Sequence, residues 1–144
     1  LQLDTINLGG GFGIEYYDGD EKVNLEEMLK TLISKIEEEI KNKDCPINHI
    51  MIEPGRSIVG PACLTLYECG ILKKTIGGKN FLFIDGGMTD NIRPALYEAK
   101  YQAIPVNKVE SNQLVNCDIV GKCCESGDFI IKDAVIPTTK PVIW

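Results

Sequence analysis

The chain has one histidine, His49, no Cys-x-x-Cys pair, no long apolar run and no sizeable cluster of lysine and arginine. Each scarcity removes a class of function. A lone histidine without paired cysteines leaves a structural zinc site without its ordinary ligand set, so no metal is expected. His49 itself reads as a strand residue facing a helix or solvent. A membrane span needs about 18 or more apolar residues in succession, and a secretory leader needs a basic stretch before an apolar one; neither is encoded. With a formal net charge of −6, the chain lacks the clustered cations that replace counterions on nucleic acid or on an anionic membrane. The six cysteines, Cys45, Cys63, Cys69, Cys117, Cys123 and Cys124, show no compact framework spacing. Reduced thiols in a cytoplasmic protein are therefore expected. No methionine precedes Leu1, and the sequence stops at Trp144 directly after Val142-Ile143, so a segment of a longer chain is expected.

What remains is an ordinary globular composition: 144 residues, 44% hydrophobic and 25% charged, enough for one domain-sized core. Residues 3–8 alternate apolar positions around Thr5 and end in Gly9-Gly10-Gly11, the pattern of a buried strand entering a loop. Asn24 precedes Leu25, with Glu27 three residues on, which predicts a helix start with a capping-box-like partner. Leu25, Met28, Leu29, Leu32, Ile33, Ile36 and Ile40 then recur at helical spacing, while Glu37, Glu38, Glu39 and Lys41 take the wet side. Beyond Pro46 a second strand runs through Ile52 and breaks at Glu53-Pro54-Gly55-Arg56. A strand, helix, strand unit implies parallel strands, and both breaks then fall at the carboxyl ends of neighbours, where α/β folds bind ligands. From Ala62 the pattern alternates through Leu64, Leu66, Tyr67 and Ile71-Leu72 to a Gly77-Gly78 turn, and strand-like runs follow at 81–84, 115–120 and 129–136. The expected fold is α/β plus β. Residues 1–60 form the α/β part and residues 61–144 a mostly β domain.

Four places carry chemistry. Gly9, Gly10 and Gly11 lack side chains, which lets main-chain N–H groups cradle a phosphate, although a glycine triplet also serves as a hinge. Gly55 and Arg56 offer a second such loop with a guanidinium fork. In a (β/α)₈ barrel the loops after the last two strands are the usual phosphate site, where this pair would lie if the chain begins late in a barrel. Glu53 at the strand end is either a salt-bridging acid or a carboxylate beside a pyridine nitrogen, where it favours the cationic ring that makes pyridoxal phosphate an electron sink. Cys124-Glu125-Ser126-Gly127-Asp128 is either a turn or a thiol kept protonated by neighbouring carboxylates, hence a proton donor.

Taken together, Asn7-Leu8-Gly9-Gly10-Gly11-Phe12-Gly13, Glu53-Pro54-Gly55-Arg56, Asp85-Gly86-Gly87-Met88 with Ile92-Arg93-Pro94-Ala95-Leu96-Tyr97, and Cys124-Glu125-Ser126-Gly127-Asp128 resemble the diaminopimelate decarboxylase family in order and spacing. That family lies in the alanine-racemase-like barrel class of pyridoxal phosphate enzymes, beside the ornithine and arginine decarboxylases. The resemblance implies the end of a (β/α)₈ TIM barrel followed by a mostly antiparallel β-barrel or sandwich domain. It implies decarboxylation of meso-diaminopimelate to L-lysine and carbon dioxide, the last step of bacterial-type lysine synthesis. Gly9, Gly10, Gly11, Glu53, Pro54, Gly55 and Arg56 would hold pyridoxal 5'-phosphate, and Arg56, Arg93, Tyr97 and Glu125 would bind the substrate. Cys124 would return a proton to the α-carbon at a site shared across a homodimer. Departures are Lys122-Cys123 before Cys124, and Lys100-Tyr101-Gln102 where a histidine is common. The Schiff-base lysine and a late tyrosine of the family lie outside this sequence; Lys73, Lys79 and Lys122 sit in no such motif, so the segment alone is expected to be inactive. Two alternatives are an ornithine-, arginine- or carboxynorspermidine-type decarboxylase, for which Glu125 discriminates, and a non-catalytic decarboxylase-like binding protein.

Overall fold

A computed structural model describes residues 3–43, 46–106 and 113–137; Leu1, Cys45 and the Val142-Ile143-Trp144 end lie outside the described residues. The chain divides into two compact units, Leu1–Glu15 with Gly19–Leu64, and Tyr16–Asp18 with Thr65–Trp144.

The first unit runs β1 (Thr5–Asn7), α1 (Leu25–Asn42), β2 (His49–Met51) and α2 (Arg56–Val59), then a 3₁₀ turn over Gly60–Ala62. β1 and β2 pair in parallel, with Thr5 opposite His49 and Asn7 opposite Met51. The parallel direction follows from the 18-residue helix between them, which carries the chain back before the second strand starts. α1 begins where its capping signal predicts: Asn24 Oδ1 accepts the Glu27 N–H at 3.1 Å and Asn24 Nδ2 donates to Glu27 Oε2 at 3.2 Å. Both strands are shorter than the alternation suggests, at 3 residues each. The apolar face of α1 is only partly covered. Leu25, Leu29, Leu32, Ile36 and Ile40 are half-buried, whereas Met28 and Ile33 stay exposed.

The second unit is a four-stranded sheet in the order β3 (Cys69–Lys74), β4 (Asn80–Ile84), β5 (Leu114–Val120) and β6 (Phe129–Pro137). The outer pairings are antiparallel and the central β4–β5 pairing is parallel, a reversal that alternation alone does not signal. The 62–68 segment, expected to alternate as strand, forms none: Leu64 and Leu66 are exposed and the first strand starts at Cys69. Between β4 and β5 lies a short helix, α3 (Arg93–Tyr97), ended by Glu98 in the left-handed conformation at φ 52°. Leu82, Ile84, Cys117, Ile119, Ile130, Ala134 and Ile136 form the core, with Tyr67, Cys69 and Leu72 packed against it. Tyr16–Asp18 joins this unit through side chains. The Tyr16 ring stands edge-on to Tyr101 at 5.6 Å, and Gln102 exchanges two hydrogen bonds with Asp18.

Asp118 is buried in this core and charged. Its Oδ2 lies 2.7 Å from Lys79 Nζ, and its Oδ1 accepts the Asp133 N–H at 2.9 Å. Burial opposes its charge, but the Lys79 ammonium and the Asp133 N–H outweigh that and hold the carboxyl below its ordinary range. Asp133 has φ 55°, at the point where the β5–β6 register slips. The Asp118 carboxylate thus pins a β-bulge.

Candidate active site

In the first unit the two glycine-bearing loops meet. Parallel pairing carries on beyond the strand ends, because the Leu8 N–H donates to Met51 O at 2.9 Å and the Glu53 N–H donates to Gly9 O at 2.7 Å. Gly9 and Gly11 take φ of 72° and 85°, conformations that side-chain-bearing residues rarely adopt. Gly10 is needed for another reason. A Cβ there would lie 2.2 Å from the Glu53 carbonyl oxygen, so its missing side chain makes room for the neighbouring loop. The space where Cβ atoms of Gly9, Gly11 and Gly55 would project is open.

Asn7 joins the two loops from the end of β1. Its Oδ1 accepts the Gly9 N–H at 2.8 Å and its Nδ2 donates to Glu53 Oε1 at 2.7 Å. Glu53 is thus a positioned acceptor, with one oxygen tied back to the glycine loop. Arg56 opens α2, and beside it the Ser57 hydroxyl is buried with no hydrogen-bond partner among the described residues. Asn7 stands at the head of the first motif, but its bonds to both loops depend on the fold and no spacing in the sequence signals them. His49, in β2, stands 3.5 Å from Asp4.

In the second unit α3 sets out Arg93 and Tyr97 one turn apart. The Arg93 guanidinium lies between two rings, 5.5 Å from the Tyr16 centroid and 5.4 Å from that of Tyr97. Its Nε is buried and has no hydrogen-bond partner among the described residues. Tyr16 meets this guanidinium from far away in sequence, and no motif announces it.

Cys124 and Glu125 are exposed, on the loop between β5 and β6. The Glu125 N–H donates to Cys123 O at 2.8 Å, a three-residue turn that puts Cys124 at its tip. The acids of this stretch are engaged elsewhere than at the thiol. Glu125 Oε1 accepts from the Ser126 hydroxyl at 3.2 Å and the Gly127 N–H at 3.3 Å. The buried Asp128 carboxylate accepts the main-chain N–H groups of Met88 and Cys123. Asp128 builds this loop, and Cys124 and Glu125 are exposed on it. Asp85, in the motif before α3, accepts the Glu68 N–H at 2.8 Å and supports the start of that loop.

Cys63, Cys69, Cys117, Cys123 and Cys124 are free thiols. Burial, with Asp85 near Cys69 and Asp118 near Cys117, pushes both of those thiols up. Among the described residues no group of histidine, cysteine and acid side chains is arranged to hold a metal, and no helix is long and apolar enough to cross a membrane.

Residues 61–143 match the model of the pyridoxal-dependent decarboxylase C-terminal sheet domain, and residues 1–60 match that of the pyridoxal binding domain. The chain is 50% identical over 139 residues to diaminopimelate decarboxylase of Staphylococcus aureus, covering 96% of this chain and 33% of that protein. It is 45% identical over 136 residues to the Bacillus subtilis enzyme of the same name, covering 94% and 31%. Diaminopimelate decarboxylase from M. jannaschii, solved in complex with L-lysine, superposes with a TM-score of 0.82 at 30% identity over 98% of this chain and 31% of that one. A Helicobacter pylori diaminopimelate decarboxylase variant complexed with L-lysine gives 0.76 at 31% identity over 96% and 32%. The chain spans about a third of the length of these relatives.

Proposed function

The chain belongs to the pyridoxal-dependent decarboxylase family, and on that premise we propose that it is part of a diaminopimelate decarboxylase, a carboxy-lyase that converts meso-diaminopimelate to L-lysine and carbon dioxide. In this reading residues 1–60 are the last strands of a (β/α)₈ pyridoxal-binding barrel, and residues 61–144 belong to the β domain that follows it. The full enzyme is cytoplasmic and a homodimer, with sites shared between subunits. The observation that carries the reading is the loop pair of the first unit, in which a glycine cradle and the Glu53 carboxylate are hydrogen-bonded to each other through Asn7 and Gly9.

Pyridoxal 5'-phosphate fits these residues. The open space over Gly9, Gly11 and Gly55 and the unpartnered Ser57 hydroxyl suit a phosphate. Gly9, Gly10, Gly11, Pro54, Gly55 and Arg56 would hold it, and Glu53 would accept a hydrogen bond from the protonated ring nitrogen. When bound, the cofactor supplies the electron sink for the pair left on the α-carbon as carbon dioxide departs. The chain's own residues do the rest. Arg93, its fork held by two rings, and Arg56 suit the substrate carboxylate; Tyr97 adds a hydroxyl. Glu125 suits the distal ammonium, and the Cys124 thiol delivers a proton to the α-carbon.

The test uses the full-length enzyme. It is expected to bind pyridoxal phosphate, seen in its absorbance, and to release carbon dioxide from meso-diaminopimelate. Release from ornithine or arginine alone would move the chain to the sibling decarboxylases, and cofactor binding without release from any diamino acid would make it a non-catalytic relative.

A further inference from the structure

Asp128 is 4% exposed, and four hydrogen bonds converge on it. Its Oδ1 accepts the Met88 N–H at 2.5 Å and its Oδ2 accepts the Cys123 N–H at 2.7 Å. Its carbonyl accepts the Gly121 N–H at 2.9 Å, and its own N–H donates to Glu125 O at 3.1 Å. The Gly121 to Asp128 loop is thereby closed on itself, and its carboxylate reaches across to Met88, on the turn that leads into α3. Packing leaves no alternative occupant. A Cβ on Gly121 would lie 2.2 Å from Asp128 Oδ2 and one on Gly87 would lie 2.8 Å from it. The Lys122 N–H donates to Gly86 O at 3.0 Å, a second stitch between the same two segments.

Two convergent N–H donors need two acceptor oxygens in a space this small, which a carboxylate supplies and an amide does not. Without them the Met88 and Cys123 N–H groups would lose their partners, and the main chain on either side would be free to rotate toward solvent. Cys123 is bonded directly, so the loss falls on the Lys122–Cys123 peptide, one residue before Cys124 and two before Glu125.

We propose that Asp128 is a positioning residue: through the Cys123 and Met88 N–H groups it sets the direction of the Cys124 thiol and the Glu125 carboxylate, and so the rate of proton delivery. The proposal rests on the decarboxylase reading above. It assigns the final acid of the Cys124 to Asp128 stretch a task separate from that of the thiol.

The experiment is a double-mutant cycle in the full-length holoenzyme, with Asp128→Asn made in the wild type and in Cys124→Ala. The Asn variant keeps the size and one acceptor oxygen, and turns an amide N–H₂ toward the second donor. Misaiming a reacting group by about 1 Å costs on the order of a hundredfold. Asp128→Asn is therefore expected to lower kcat for diaminopimelate roughly tenfold to a hundredfold in the wild type, with cofactor absorbance retained. In Cys124→Ala it should lower kcat less than about threefold. Equal losses in both backgrounds would show a general structural role and overturn the proposal, as would an unchanged kcat. Should the Asn variant not fold, Asp128→Ser carries the same comparison; if neither folds, Asp128 is a folding residue and the proposal falls. A wild-type enzyme inactive on diaminopimelate sinks the functional reading and this proposal together, whereas an active wild type with equal losses sinks this proposal alone.

Discussion

At the residue scale, the side chains that touch no ligand in the proposed mechanism decide how those that do are aimed. Asn7 spends both ends of its amide on the site, one on the Gly9 N–H and one on Glu53. Asn7→Ala removes both bonds and is expected to weaken pyridoxal phosphate binding by the full-length enzyme about tenfold, the equivalent of roughly 1.4 kcal/mol, read in an absorbance titration. Tyr16 and Tyr97 bracket Arg93, and a cation held over a ring is worth about 0.5–2 kcal/mol. Tyr16→Leu should therefore raise KM for diaminopimelate roughly twofold to thirtyfold, with kcat less affected, and Tyr16→Phe should recover most of the loss. An unchanged KM in the Leu variant would mean that Arg93 is held by other contacts. Cys124→Ala is expected to lower kcat about a hundredfold while cofactor stays bound; loss of cofactor would give the thiol a structural task.

At the element scale, the bulge between β5 and β6 depends on one buried charge. Asp118 is held below its ordinary range, so its contribution to stability is fully present above the unfolded value and is lost as pH falls through the lower folded one, that is, below about pH 4. Lys79 is shifted the other way, chiefly by its hydrogen bond to Asp118, and its contribution is lost only as pH rises through that raised value. Asp118→Asn is thus expected to cost about 1–3 kcal/mol at pH 7 and much less near pH 2, which thermal melts at the two pH values would show. Equal costs at both would place the effect in packing. The same sheet sorts the thiols. Cys117 is 1% exposed and pushed up by burial, whereas Cys63 and Cys124 are exposed. Iodoacetamide on the native protein should label Cys63 and Cys124 first and Cys117 last, followed by peptide mass spectrometry.

For the whole molecule, the two units differ in what they bury. The sheet unit holds every fully buried residue among those described, while the β1–α1–β2 unit has none and leaves Met28 and Ile33 of α1 exposed. A layer with one apolar face needs a partner layer to cover it. Hydrogen exchange on the 144-residue chain is therefore expected to show protection concentrated in β4, β5 and β6, with β1, β2 and α1 exchanging fast; equal protection in both units would refute this. The kind and order of most elements, and the places where loops interrupt them, are legible in the sequence itself. Those signals are local: apolar period along α1, a cap at Asn24, and glycine, proline and acid runs at the loops. Only the tertiary structure decided that β4 and β5 run parallel and that Leu64 and Leu66 lie outside any strand. It likewise decided that Gly10 makes room for Glu53, that Tyr16 braces Arg93, and that Asp128 serves main-chain donors while Cys124 is left to face outward. Gly10 meets Glu53, Arg93 meets Tyr16 and Asp128 meets Met88 across tens of residues, and such partners impose no spacing on the residues they meet.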